Sequence, residues 1–111
     1  MPHFDAESSA PIKRLGKADM PFDGCVAYMI QGKKEQVLYT QFEKDVEVPE
    51  HSHEAQLAVV LSGNIEITIK GTRSLFFKGD TYYIPRGLAH SAKIRGGYSD
   101  FTFIKQNRSP R

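Results

Sequence analysis

Two imidazoles two residues apart are the first feature of this 111-residue chain with chemical potential: His51 and His53, within Pro49-Glu50-His51-Ser52-His53-Glu54-Ala55-Gln56. On a β-strand, residues i and i+2 project from one face, so both rings can meet one ion. If the fold returns His90 opposite the pair, three neutral nitrogen donors result, a set suited to Zn, Fe, Ni, Cu or Mn. The competing reading is three unconnected polar residues at strand ends. The fourth histidine, His3, lies among polar residues near the start and is read as solvated.

The elements that must position these rings are short strands. Runs rich in β-branched and aromatic residues recur between turn signals. Cys25 to Ile30, the turn Gln31-Gly32-Lys33-Lys34 and Gln36 to Phe42 read as a hairpin. Leu57 to Leu61 and Ile65 to Lys70 flank Ser62-Gly63-Asn64, and in the second run Ile65, Ile67 and Ile69 alternate with Glu66, Thr68 and Lys70, one face buried and one wet. Leu75 to Phe77, Thr81 to Ile84, His90 to Ile94 and Tyr98 to Lys105 follow, punctuated by Gly71, Gly79, Pro85-Arg86-Gly87 and Gly96-Gly97. No stretch holds a helical period, so the fold class is all-β, a sandwich or barrel. Residues 1–24 carry Pro2, Pro11 and Pro21 without periodicity and read as an N-terminal arm; 25–105 form the β-barrel domain and 106–111 a tail.

Composition bounds the function. The chain is 40% apolar and 25% charged, with seven Phe and five Tyr, which is a folded single domain too short for a multidomain enzyme. Fifteen Lys and Arg against thirteen Asp and Glu leave a net charge of +2, too small to recruit nucleic acid or a membrane without clustering. Residues 86–111 hold six Lys and Arg against Asp100 alone, read as a solvated basic end. No apolar run is long enough to span a bilayer, and the first residues have no apolar signal core. Cys25, the one cysteine, cannot form an internal disulfide, so a reducing cytoplasmic setting is expected, with the thiol a buried structural group.

Around the histidines the sequence resembles the cupin superfamily at both of its signature motifs. The first, G-x5-H-x-H-x3or4-E-x6-G, is similar to Asp45 through Gly63, with His51 and His53 as the pair and Gln56 seven residues before Gly63. The second, G-x5-P-x-G-x2-H-x3-N, is matched by Gly79, Pro85, Gly87 and His90, with Ile94 replacing the final Asn. The resemblance covers Asp45 to Ile94 and implies a double-stranded β-helix, the cupin or jelly-roll barrel, of the small single-domain type. It also implies one divalent transition metal ion, Zn, Fe, Ni or Mn, held by His51, His53, Gln56 and His90. Glu54 is the rival fourth ligand, because His53 to Gln56 is shorter than the family spacing; the distance to Gly63 favours Gln56. Small cupins with His, His, Gln and His ligands include one that linearises unsaturated uronates, and its last strand carries an Asp, an aromatic and an Arg. Asp100, Phe101, Phe103 and Arg108 stand in that region and match the pattern loosely.

The remaining candidates each carry two readings. Arg86, in the turn before His90, has a guanidinium able to take a substrate carboxylate bidentately, or is an exposed turn residue. Tyr28, Tyr39 and Tyr83 are proton donors inside the barrel or apolar filler. Asp100 is the nearest candidate base if it points inward; its alternation partners Thr102 and Ile104 leave the facing open, and a surface salt bridge is the simpler expectation. Strand parity places Ala92 and Ile94 on the face of His90, so Lys93 and Arg95 should point away. The glycines serve turns, since no helix follows them to cradle a phosphate.

The functional expectation is a metal-binding cupin acting on a small anionic, oxygen-rich substrate, an acidic sugar or keto acid, by isomerisation, ring opening or tautomerisation. The alternatives are a non-catalytic cupin that binds or senses a small ligand, and an Fe-dependent dioxygenase. Strands apolar on both faces, such as Cys25 to Ile30, need a cover, which a homodimer supplies.

Overall fold

The computed structural model describes residues 16–18 and 23–105. Ten strands follow one another: β1 (Gly16–Ala18), β2 (Cys25–Gln31), β3 (Glu35–Phe42), β4 (Val46–His51), β5 (Gln56–Ser62), β6 (Asn64–Ile69), β7 (Thr72–Phe77), β8 (Thr81–Ile84), β9 (His90–Ile94) and β10 (Ser99–Lys105). They form two antiparallel sheets, six-stranded in the order β1-β2-β3-β10-β5-β8 and four-stranded in the order β4-β9-β6-β7. This is the all-β double-stranded β-helix that the resemblance implies. Among the described residues no helix is long and apolar enough to cross a membrane.

Alternation builds the core. Ala58 and Val60 of β5, Ile65 and Ile67 of β6, Tyr82 and Ile84 of β8, and Ile94 of β9 turn inward and pack with Phe42 and Tyr98. The outward face of the four-stranded sheet is polar: Glu47 lies opposite Lys93, and Lys93 opposite Glu66. The outward face of the six-stranded sheet is apolar, because Ile30, Val37, Phe103, Leu57 and Tyr83 are cross-strand partners in one row over five strands. Ile30, Leu57, Tyr83 and Phe103 are 51%, 42%, 60% and 42% exposed.

Two local features differ from the sequence expectation. Within the arm, Gly16–Ala18 pairs with β2, so the sheet begins before Cys25; backbone pairing needs no side-chain period to announce it. Lys70, expected to close a strand, takes a positive φ of 52° beside Gly71 at 79°, and the two form the tight turn between Ile69 and Thr72. Asp45, at the place of a motif glycine, accepts the Gly96 N–H at 2.8 Å through its carboxylate. Gly63 is doubly constrained: its φ is +69°, and a Cβ there would stand 2.8 Å from the Tyr98 Cα. The tail 106–111, with Arg108, lies outside the described residues, as does His3.

Candidate metal centre

His51 ends β4 and His90 begins β9, and the two are partners in that ladder. Pro49 has no N–H to give to the ladder, and the register shifts between Val48 and His51. The shift corrects the sequence picture of a His pair on one strand. His53 lies beyond the strand in the loop to β5 and reaches the same place through that loop. Its carbonyl accepts the Gly87 N–H at 3.0 Å, which ties this loop to the Pro85-Arg86-Gly87 turn leading into His90.

The three rings converge. Their centroids are 5.1 Å apart for His51 and His53, 4.4 Å for His51 and His90, and 4.7 Å for His53 and His90. One ligand atom from each lies within 4.8 Å of the others. Each Nδ1 faces a backbone carbonyl: Pro49 at 2.9 Å for His51, Glu54 at 2.6 Å for His53 and Leu88 at 2.9 Å for His90. A carbonyl only accepts, so each Nδ1 carries the proton and each Nε2 presents a lone pair. Such outer contacts fix tautomer and ring orientation at metal sites. Burial, with the neighbouring His51 and His53 adding to it against the opposing Leu88 hydrogen bond, holds the His90 imidazolium below its ordinary value, which favours the neutral ring. The donor set therefore fits a divalent transition metal.

The rings border a cavity of about 190 Å3 between the sheets. Gln56, first residue of β5, lines it beside the histidines, together with Ile84 and Ile104, its partners in the adjacent strands. The Glu54 carboxylate is taken instead by Arg86, 3.1 Å away, and Arg86 is exposed. Neither residue is among those lining the cavity. Tyr28, Tyr39 and Tyr83 also lie elsewhere. Tyr28 stacks on Tyr39 at 6.2 Å, and Tyr39 meets Phe101 in a tilted pair at 5.3 Å, on the outward side of the large sheet. Lys93 and Arg95 are exposed while His90, Ala92 and Ile94 line the cavity, as strand parity requires.

Asp100 overturns the salt-bridge expectation. It is 4% exposed and lines the same cavity. Tyr98 and Tyr82 donate to its Oδ2, Tyr82 at 3.4 Å, and Thr102 donates to Oδ1 at 3.0 Å. The two phenols also meet at 3.2 Å. Burial pushes the Asp100 carboxyl well above the ordinary carboxylate range against these hydroxyl donors, and burial with the adjacent carboxylate pushes both phenols up as well. Asp100 pairs with Val60, and Gln56 with Ile104, so this polar cluster sits four β10 residues, about 13 Å of strand, below the level of Gln56. Sequence reasoning left out Tyr82, Tyr98, Thr40 and Thr102; the alternation of Tyr82 with Ile84 was the available signal.

The chain matches the cupin domain family (Cupin_2) over residues 38–103. Its fold is similar to KdgF from Halomonas sp., at 17% identity and a TM-score of 0.72 over 86% of this chain and 90% of that one. It is similar to an RmlC-like cupin from Shewanella frigidimarina, at 19% identity and a TM-score of 0.73 over 86% and 87% of the two chains. A single-site variant of oxalate decarboxylase from Bacillus subtilis matches at 19% identity and a TM-score of 0.69, over 86% of this chain and 28% of that larger one. No curated protein matches in sequence.

Proposed function

The chain belongs to the cupin domain family, and from that premise we propose that it is an enzyme holding one divalent transition metal ion, Zn, Fe, Ni or Mn, on His51, His53, His90 and Gln56. Its substrate is a small anionic, oxygen-rich molecule, an acidic sugar or keto acid, and the reaction an isomerisation, ring opening or tautomerisation. The observation that carries this reading is the convergence of three imidazoles, each with Nδ1 committed to a carbonyl, at the edge of a cavity.

A bound ion there supplies Lewis acidity toward a carbonyl or carboxylate oxygen. With four neutral donors it keeps its full charge, which favours an anionic substrate. The chain's own residues restrict the rest. A cavity of about 190 Å3 is below the range for drug-sized ligands, so the substrate is small. Ile65, Ile67 and Ile84 wall it with apolar surface. Oxalate, named in one of the similar structures, is a molecule of this description.

A second reading is a cupin that binds or senses a ligand without converting it. It is favoured by the placement of the candidate acid–base residues: Arg86 and Tyr28 do not line the cavity, and Asp100 lies well below Gln56. Turnover separates the two. Metal-loaded protein that converts a member of a panel of acidic sugars and keto acids, with loss in His53→Ala, supports the enzyme. Saturable binding without conversion supports the second reading, and conversion only with iron and oxygen supports a dioxygenase.

The proposal extends to assembly and setting: a homodimer in a reducing cytoplasm. The exposed parts of Ile30, Leu57, Tyr83 and Phe103 amount to on the order of 400 Å2 of apolar surface, and patches of this size on a monomer are commonly interaction sites. Half-buried Val37, Tyr39, Val59 and Phe101 continue the face toward the roughly 800 Å2 per partner of a standard interface. A row spanning five strands meets its own copy about a two-fold axis without placing charges against each other.

A further inference from the structure

Among the described residues Asp100 is the single carboxylate that lines the cavity, and no Lys or Arg lines it. The groups facing it from each packed element are uncharged hydroxyls or apolar. They are Thr40 of β3, Tyr82 of β8, Thr102 of β10 and Tyr98 just before β10. From β2 comes Cys25, a thiol pushed up to about 11 by burial and by the Asp100 charge. The opposite sheet offers Ile65, Ile67 and Ile94. An ionised Asp100 is thus a buried anion with hydroxyl dipoles for partners and no cation. The donor set at the other end of the cavity has the converse deficit, because neutral imidazoles and a neutral amide leave a divalent cation without a counter-charge.

We propose that Asp100 is the remote counter-charge of this cavity: it is protonated in the metal-free protein and releases its proton to solvent when His51, His53 and His90 take a divalent ion. The proposal rests on the reading of the three histidines as a metal site. It assigns Asp100 a positioning and charge-balancing role at a distance, without coordination. The chemistry balances as COOH giving COO− and one H+. Four hydroxyl donors, from Tyr98, Tyr82, Thr102 and Thr40, suit the ionised form, since a carboxylate accepts about four hydrogen bonds. The cluster is therefore built to hold the anion once a cation offsets the cost of burying its charge. A double and a single charge on the order of 10 Å apart, at an effective dielectric constant of about 20, lower the carboxyl midpoint by about two pH units.

Carbon-13 NMR of the side-chain carboxyls, recorded against pH in the full chain with and without saturating Zn2+, reads this directly; the Asp100 signal is identified by its loss in Asp100→Asn. The expected result is a midpoint above the ordinary carboxylate range without zinc and about two pH units lower with it. An unchanged midpoint while the histidine ring nitrogens shift with zinc overturns the proposal and leaves the metal site standing. If the ring nitrogens do not shift either, the metal site is absent and the proposal falls with it. Calorimetry of Zn2+ binding in two buffers of different ionisation heat, at a pH between the two midpoints, gives a second reading. The wild-type chain should release about one more proton than Asp100→Asn, because histidine protons cancel in the comparison. Equal release overturns the proposal.

Discussion

His51 stands opposite His90 in the β4–β9 ladder, one residue out of phase with Val48 opposite Ala92. Three steps along β4 match two along β9, so β4 carries one extra residue. In strict alternation His51 would share the outward face of Glu47. The extra residue turns it to the cavity face of Val48, where His90 and Ala92 already point. The three-histidine cluster, able to hold a metal ion, is thus made by a bulge at Pro49-Glu50 as much as by the histidines themselves.

Removing Glu50, the extra residue, should restore alternation with His51 two residues from Val48, on the cavity face and still opposite His90. The expected outcome is a folded protein with an unchanged far-ultraviolet circular dichroism spectrum and a zinc affinity within about 10-fold of wild type, since neither a ligand nor its facing is lost. Calorimetric titration checks it; a loss of about 100-fold or more contradicts the account of Glu50 as the extra residue.

Much of this centre was legible in the sequence. The histidines and the Gly79-Pro85-Gly87-His90 spacing marked the site because turns and ligands on a short loop keep fixed intervals. The inward facing of Ile65, Ile67 and Ile94 followed from period-two alternation. The bulge did not show, because an extra residue changes parity without changing composition. The facing of Asp100 was open for a related reason: the β10 register shifts between Ser99 and Asp100, and Thr102 carries no apolar label. Glu54 could be set aside only when Arg86 was seen to hold its carboxylate.

Burial raises the Asp100 carboxyl above its unfolded value. As pH rises the unfolded chain gives up this proton first. The stability contributed by the protonated group is therefore complete below about pH 4 and declines as pH rises toward the raised folded value. Asp100→Asn has no such proton. Urea unfolding of metal-free protein from acid to neutral pH should show the stability of wild type relative to Asp100→Asn falling with pH. A difference independent of pH contradicts the buried-acid assignment.

Gly63 and Gly71 both have positive φ but differ in their surroundings. At Gly71 nothing lies within 4 Å of a built Cβ, whereas at Gly63 the Tyr98 Cα and N and the Gly97 carbonyl lie within 3.0 Å of it. Gly71→Ala should cost about 1 kcal/mol, the left-handed backbone penalty alone. Gly63→Ala should cost about 3 kcal/mol or more, since rigid backbone must also move. Equilibrium unfolding of both variants measures the gap; equal costs contradict the close approach of Tyr98.

Phe103 and Leu57 are cross-strand partners at the centre of the apolar row. A charge at either should separate a dimer that closes over this face. Light scattering on wild type is expected to give twice the chain mass, and Phe103→Glu or Leu57→Lys the single mass with the fold intact. A wild-type monomer at high concentration contradicts the homodimer.

The most direct test of the central claim is elemental analysis of the full chain purified without affinity tag or chelator, beside a His51→Ala, His90→Ala double variant. The expected result is about one transition metal ion per chain in wild type and none in the variant, as for a site built from convergent ligands. Wild-type protein that holds no ion even after reconstitution with Zn, Fe, Ni and Mn contradicts the account.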